Sequence, residues 1–222
     1  MDKMIQKNLP TLILASASVY RQQVLKSLNL PFEIIVSEID ESFASKFDCE
    51  DQPEIIAKAK VDAVFNKICN FSEKDKKQKY TNSLITAADT ILIMSGKSYG
   101  KPKDREEAFD FLNSFSGKTH FAVTGIVIFN TKTKTYHSAK NKTSVTFKTL
   151  SIEEINKYLD SGEWQGAAGG YRMQNLGACF VKSIEGSPSS VAGLPIFEFY
   201  DILRSQHYPI LDFCCSPLIL RR

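Results

Sequence analysis

The sequence predicts an α/β protein built on a mixed, twisted sheet. Short apolar runs alternate with segments whose apolar residues recur at three- and four-residue spacing. The helical segments open on capping or starting signals: Ser18, Pro53, Asp104 with Glu107, and Ser151 with Glu154. Two strand-like runs, 121–130 and 144–150, follow one another across a polar connection that includes TKTKT, which adds an antiparallel pair to the alternation.

The elements follow in order. Residues 11–15 (TLILA) read as a short buried strand. A helix over 19–29 carries Val24, Leu25 and Leu28 on one face, and Pro31 ends it. The run 32–37 (FEIIVS) reads as a second strand, followed by the acidic pair Asp40–Glu41. A helix over 53–66 places Ile56, Ala59 and Ala63 on its apolar face. The Lys-rich stretch FSEKDKKQKYTN reads as a solvated loop.

A buried strand over 83–89 (SLITAAD) is followed by turn signals at Gly96 and Gly100. Ala108, Phe111, Leu112 and Phe115 then mark a helix after Asp104, and Ile152, Ile155 and Leu159 mark another that stops near Gly162. Five glycines lie between Gly162 and Gly177, ahead of a strand over 178–184. A last helix starts at Pro195 and carries Ile196, Phe199, Tyr200 and Leu203.

Composition narrows the class. A chain of 222 residues, 43% hydrophobic and 24% charged, is ordinary for a globular protein. It can bury roughly 70% of the surface it exposes unfolded. The net charge of +3 is too small for a nucleic-acid surface, yet it leaves room for a local basic site facing an anion. Five cysteines without metal-ligand spacing argue against a disulfide framework or a zinc site and for a reducing compartment. The adjacent Cys214–Cys215 reads as inert, with redox chemistry or lipidation as the alternative. The polar start MDKMIQKN and the absence of a long apolar run make a signal peptide or membrane span unexpected. The expected location is the cytoplasm.

Several residues have the chemistry to form a site. Ser16, Ser18 and Arg21 follow the first strand at the start of a helix, where free N–H groups, hydroxyls and a planar guanidinium suit a phosphate. The plain alternative is a helix cap with Arg21 in solvent. Asp89 ends an apolar strand, where it can bind a divalent metal, serve as a base for water, or cap a turn. Asp40 and Glu41 offer further hard oxygen ligands or form an exposed turn. Lys60 lies beside the apolar face of its helix, where a solvent lysine is the plain reading, and Lys101 sits in a constrained GKP turn that suits a lysine aimed at a ligand. After the glycine-rich loop, Tyr171 offers a stacking face and Gln174 an amide able to read a pyrimidine edge. His120 reads as a structural hydrogen-bonding residue, and no Walker loop, H-E-x-x-H or G-x-S-x-G is present.

The segments LILASASVYRQQVL, AADTIL, YGKPKDREEA, SGKTHFAVTG and GGYRMQNLGACFVKSIEGSPSSVAGLPI occur in the order found in the Maf-like nucleoside triphosphate pyrophosphatases. The resemblance covers essentially residues 11–205, leaving a polar segment 1–10 and a C-terminal tail 206–222 outside it. It implies two lobes around a central cleft, an architecture related to the inosine triphosphate pyrophosphatases. It also implies hydrolysis of a nucleoside triphosphate between the α- and β-phosphates, dependent on Mg2+ or Mn2+, by a possible homodimer. By the same resemblance, Ser16 and Arg21 bind phosphate, and Glu41 or Asp40 joins Asp89 around the metal. Lys60 and Lys101 are the catalytic cations, and Gln174 follows the glycine-rich loop.

Two positions depart from the family pattern. Tyr20 stands where the first of two arginines is common, and Ala167 stands where many members carry a lysine. Tyr171 with Gln174 resembles the branch acting on dTTP, UTP and modified pyrimidine nucleotides, with a 7-methyl-GTP-type enzyme as the alternative. The departures also admit a nucleotide-binding regulator without turnover.

Overall fold

The computed structural model describes residues 9–72 and 78–215. Residues 1–8, the centre of the Lys-rich stretch at 73–77, the side chains of the Cys214–Cys215 pair, and residues 216–222 lie outside the described residues.

Seven strands form one mixed sheet, and six helices cover it among the described residues. The strands are β1 (Thr11–Leu14), β2 (Phe32–Ile34), β3 (Ser83–Met94), β4 (Lys97–Tyr99), β5 (Thr119–Asn130), β6 (Thr135–Phe147) and β7 (Val181–Glu185). The helices are α1 (Val19–Ser27), α2 (Gln52–Cys69), α3 (Arg105–Phe115), α4 (Ile152–Asp160), α5 (Pro188–Val191) and α6 (Ile196–Ser205). Strand order is β2-β1-β3-β5-β6-β7, with β4 also on β3. The β2–β1–β3 part is parallel and the remainder antiparallel.

β3 organises the molecule. β5 pairs with it from Leu84 to Ile93. The rest of its ladder is shared: β1 pairs with Ser83–Thr86 and β4 with Leu92–Met94. Neither of these strands pairs with residues 87–91, so the sheet is notched there. Asp89 lies in the notch. The sequence places Asp89 at the end of its strand; instead it sits in mid-strand, three residues past the level where β1 stops. The strand continues because the turn at Gly96 folds β4 back onto it.

Three apolar clusters hold the sheet. Leu12 and Leu14 of β1, Leu84 and Ala88 of β3, and Phe199 and Leu203 of α6 pack together on one face of the first half. On the opposite face, Ile13, Ile85 and Ala87 meet Ala57, Val61 and Val64 of α2. Leu92, Phe111, Phe115, Val145 and Phe147 form the third cluster, beyond the notch. These packings give two lobes with a cleft between them.

The helix starts agree with the capping residues in the sequence. Ser18 accepts from the Arg21 amide, Asp104 from that of Glu107, and Ser151 with Glu154 makes a full capping box. α2 turns a different face inward from the one predicted: Ile56, Ala57, Lys60, Val61, Val64 and Ile68 are buried, while Ala59 and Ala63 are half-buried. Ile152 is exposed rather than part of the core. β6 begins nine residues earlier than its apolar pattern suggests. Its first half lies at the sheet edge, because β7 pairs only from Ser144, and Lys140 and Lys142 are typical edge residues. β2 is shorter than predicted, and β7 starts later.

The tail also joins the core. Tyr208, Ile210 and Phe213 are buried against the α6 cluster, and the Tyr208 and Phe213 rings stack 5.8 Å apart.

Candidate active site

The cleft has a volume of about 690 Å3. Its floor is the notch in the sheet. One wall is the β1–α1 turn with residues 36–39, and the other is the glycine-rich segment from Gly166 to Asn175. Ser16, Arg21, Glu41, Lys60, Asp89, Lys101, Tyr171 and Gln174 all line it.

At the β1–α1 turn, the Ser16 hydroxyl accepts from the Ser18 amide at 3.2 Å and from Arg21 Nη1 at 3.1 Å. Arg21 Nε donates to the Gly193 carbonyl at 2.7 Å. The guanidinium is therefore fixed from two sides and keeps further N–H donors for an anion. Burial lowers the Arg21 pKa, while the charges of Asp89 and Glu41 act to raise it. The first amides of α1 have no carbonyl within the helix to bond and add positive potential beside it.

On the floor, alternation along β3 sends Asp89 to the face that α2 covers, the same face as Ile85 and Ala87. α2 brings Lys60 to it. Lys60 Nζ lies 2.6 Å from Asp89 Oδ1 and 2.7 Å from Glu41 Oε1, and Lys101 Nζ lies 3.2 Å from Glu41 Oε2. Four charges thus alternate in sign across the floor. Burial alone would raise the Glu41 pKa, but the hydrogen bond and charge of Lys60, then those of Lys101, outweigh it and hold the carboxyl below its usual range.

Asp40 does not join this group. Its carboxylate accepts from the Ser42 amide at 2.9 Å and from the Ser42 hydroxyl at 2.7 Å, so it caps the short turn after Glu41. Among the described residues, no three His, Cys, Asp or Glu side chains gather around one point. Two carboxylates remain, and both already bind a cation, the Lys60 ammonium. Hard oxygen donors in that number suit Mg2+ or Mn2+, since Mg2+ is commonly held by one or two carboxylates with substrate phosphates and water.

Tyr171 lines the cleft without offering it a ring face. It is 5% exposed, and its hydroxyl bonds His120 Nε2 at 2.8 Å within a cluster that includes Phe115 and Phe147. The stacking surface expected from the sequence is turned inward because the consecutive positive-φ residues Gly169 and Gly170 lead the chain down onto Leu92 and Ala108. Burial lowers the His120 pKa to about 4, so the imidazole is neutral and Tyr171 is anchored by an uncharged pair. Gln174 is half-buried at the cleft, and its side-chain amide has no hydrogen-bond partner among the described residues.

The two departures from the family pattern face the same cleft. Tyr20 packs partly against the core, and Ala167 is buried. Arg172 lines the cleft too, but Nε and Nη2 donate to the carbonyls of Glu163 and Gln165.

Sequence reasoning missed the support behind Arg21. Thr90 bonds Thr124 at 2.9 Å, and Thr124 donates to the Ser190 carbonyl at 2.8 Å, pinning the segment that carries Gly193. The motif GSPSSVAGLPI marks this segment, but the bonding partner is a main-chain carbonyl, which side-chain chemistry does not reveal.

A family model described as "Maf-like protein" matches residues 11–206. A protein named dTTP/UTP pyrophosphatase from Thermoanaerobacter sp. (strain X514) is 39% identical over 195 residues, covering 88% of this chain and 96% of the relative. Proteins of the same name from Desulforamulus reducens and Acinetobacter baylyi are each 38% identical, over 87% and 86% of this chain and 95% and 97% of theirs.

Proposed function

Because the chain belongs to the Maf-like family, we propose that it is a nucleoside triphosphate pyrophosphatase acting on dTTP, UTP or modified pyrimidine nucleotides. It hydrolyses the α–β phosphoanhydride, releasing a nucleoside monophosphate and pyrophosphate. The observation that carries this reading is the row of alternating charges, Lys101, Glu41, Lys60 and Asp89, on the floor of a cleft whose wall presents a fixed guanidinium. The names of the relatives support the substrate class. Among the described residues, no helix is long and apolar enough to cross a membrane. The reading takes the enzyme to work on the nucleotide pool of the cytoplasm.

Phosphoanhydride cleavage needs neutralisation of the triphosphate and an oriented water. Arg21 and the Ser16–Ser18 turn bind phosphate oxygens without rearrangement, because Gly193 and Ser16 already hold the guanidinium. Lys60 and Lys101 supply the remaining positive charge. Glu41 and Asp89 are the residues that would hold Mg2+ or Mn2+, which when bound supplies Lewis-acid neutralisation of phosphate oxygens. Asp89, deeper than Glu41, has the alternative role of taking the proton from the attacking water. Gln174 offers one donor and one acceptor to a pyrimidine edge.

The test is a pyrophosphate-release screen over standard and modified nucleoside triphosphates, with and without Mg2+, for the parent and Asp89→Asn. Metal-dependent release from dTTP or UTP that drops at least about 100-fold in Asp89→Asn is the expected result. A second reading, a nucleotide-binding regulator, is favoured by Tyr20 and Ala167, which supply no cation to the cleft. Calorimetric nucleotide binding without release of pyrophosphate would select it.

A further inference from the structure

Two carboxylates in the cleft share one cation, and that cation is part of the chain. The Lys60 side chain is 8% exposed, and two of its three N–H donors are taken by Asp89 and Glu41 at 2.6 and 2.7 Å. Its helix cannot shift freely, because the adjacent Val61, and Ala57 and Val64 one turn to either side, are fully buried on the sheet. Lys101 is no substitute: it is 57% exposed and, among the described residues, pairs with Glu41 only.

A divalent ion held by Glu41 and Asp89 would lie between the same two oxygens that now enclose the ammonium. Both cations cannot occupy that point, since like charges at such a distance repel strongly wherever water is scarce. We propose that Lys60 is a resident counter-cation. In the free protein it occupies the divalent position and holds both carboxylates aimed at one point. A metal enters by displacing it.

Among the described residues Lys60 pairs with no carboxylate besides Asp89 and Glu41, so the displaced ammonium needs a new anion. A triphosphate in the cleft is that anion. Metal and nucleotide therefore bind with positive coupling, and the charge that leaves the carboxylates is delivered to the phosphates. The proposal rests on the pyrophosphatase reading for the identity of the anion, but the displacement itself does not require turnover.

Mn2+ without nucleotide is the probe, with free Mn2+ followed by electron paramagnetic resonance. Lys60→Met is expected to bind Mn2+ at least about tenfold more tightly than the parent, the effect of removing one like charge from the metal position. Equal or weaker binding in Lys60→Met overturns the proposal. A measurement on the parent protein covers the case in which that variant does not fold. Acetylation of Lys60, read by mass spectrometry against exposed Lys58 on the same helix, is expected to rise several-fold as Mn2+ saturates the site. Unchanged or reduced labelling overturns the proposal. Failure of the pyrophosphatase reading would appear separately, as absence of pyrophosphate release from the parent enzyme.

Discussion

Gly125 stands directly opposite Asp89 in the β3–β5 pairing, on the face that α2 covers. A Cβ at that position would lie 2.4 Å from the Glu54 amide nitrogen and 2.7 Å from the Pro53 carbonyl carbon. The obstacles are main-chain atoms of α2, so the helix itself would have to move. Gly125→Ala is expected to cost about 1–3 kcal/mol of stability, as overpacking commonly does. Because α2 carries Lys60, kcat should fall more than KM rises. Urea denaturation alongside steady-state kinetics tests both, and a stable variant with unchanged kcat would remove Gly125 from this role.

Arg21 bonds in two directions at once, to Gly193 and to Ser16. Lysine keeps the charge but lacks the planar fork. Arg21→Lys should weaken substrate binding by about 1.5–3 kcal/mol, the range for a charge-assisted hydrogen bond, which raises KM roughly 10- to 100-fold. Steady-state kinetics with dTTP reads this directly.

Ala167 lies on the cleft wall, at the position where the resemblance described above leads one to expect a lysine. Ala167→Lys should lower KM for the triphosphate about tenfold or more, while leaving that for the monophosphate product nearly unchanged. Product inhibition measured beside KM separates a phosphate contact from a general gain in positive charge.

His120 connects pH to stability. Its folded pKa is lowered to about 4 by burial, against an ordinary value of 6.5. The unfolded chain therefore binds the extra proton first. The contribution is complete above pH 6.5 and is lost as pH falls from 6.5 towards 4, amounting to about 3 kcal/mol. Urea denaturation at pH 7 and pH 4.5 should show this loss in the parent and a shallower slope in His120→Gln.

Phe213 is buried beside Phe199 and Leu203, although it lies beyond the span matched by the family model. Phe213→Ala should cost about 3 kcal/mol. A chain ending at residue 206 should lose more, since Tyr208 and Ile210 go with it. Thermal denaturation of both variants checks this.

Much of the architecture was legible because it rests on local signals. Ser18, Asp104 and Ser151 announce their helices through hydrogen bonds made within four residues. Less legible was anything decided by a distant partner. β6 carries no apolar pattern over its first half, because among the described residues one side of that stretch has no neighbouring strand and many of its side chains meet water. The inward face of α2 includes a lysine, which periodicity assigns to solvent, because the carboxylates that neutralise it come from positions 41 and 89. Tyr171 reads as a surface for a base in the sequence, and only the fold shows His120 holding it inward. Asp40 and Glu41 are equivalent as letters. Ser42, one residue further on, takes Asp40 out of the cleft.

The floor of the cleft has a mechanical consequence. β3 and β5 run beneath it as two twelve-residue strands, paired at ten consecutive positions from Leu84 to Ile93. They act as a beam joining the lobes. A hinge at Asp89 would have to bend this ladder, so the paired strands oppose a jaw-like swing of the lobes. The width of the cleft is tied to this ladder, which leaves side chains and wall loops as the parts best placed to adjust.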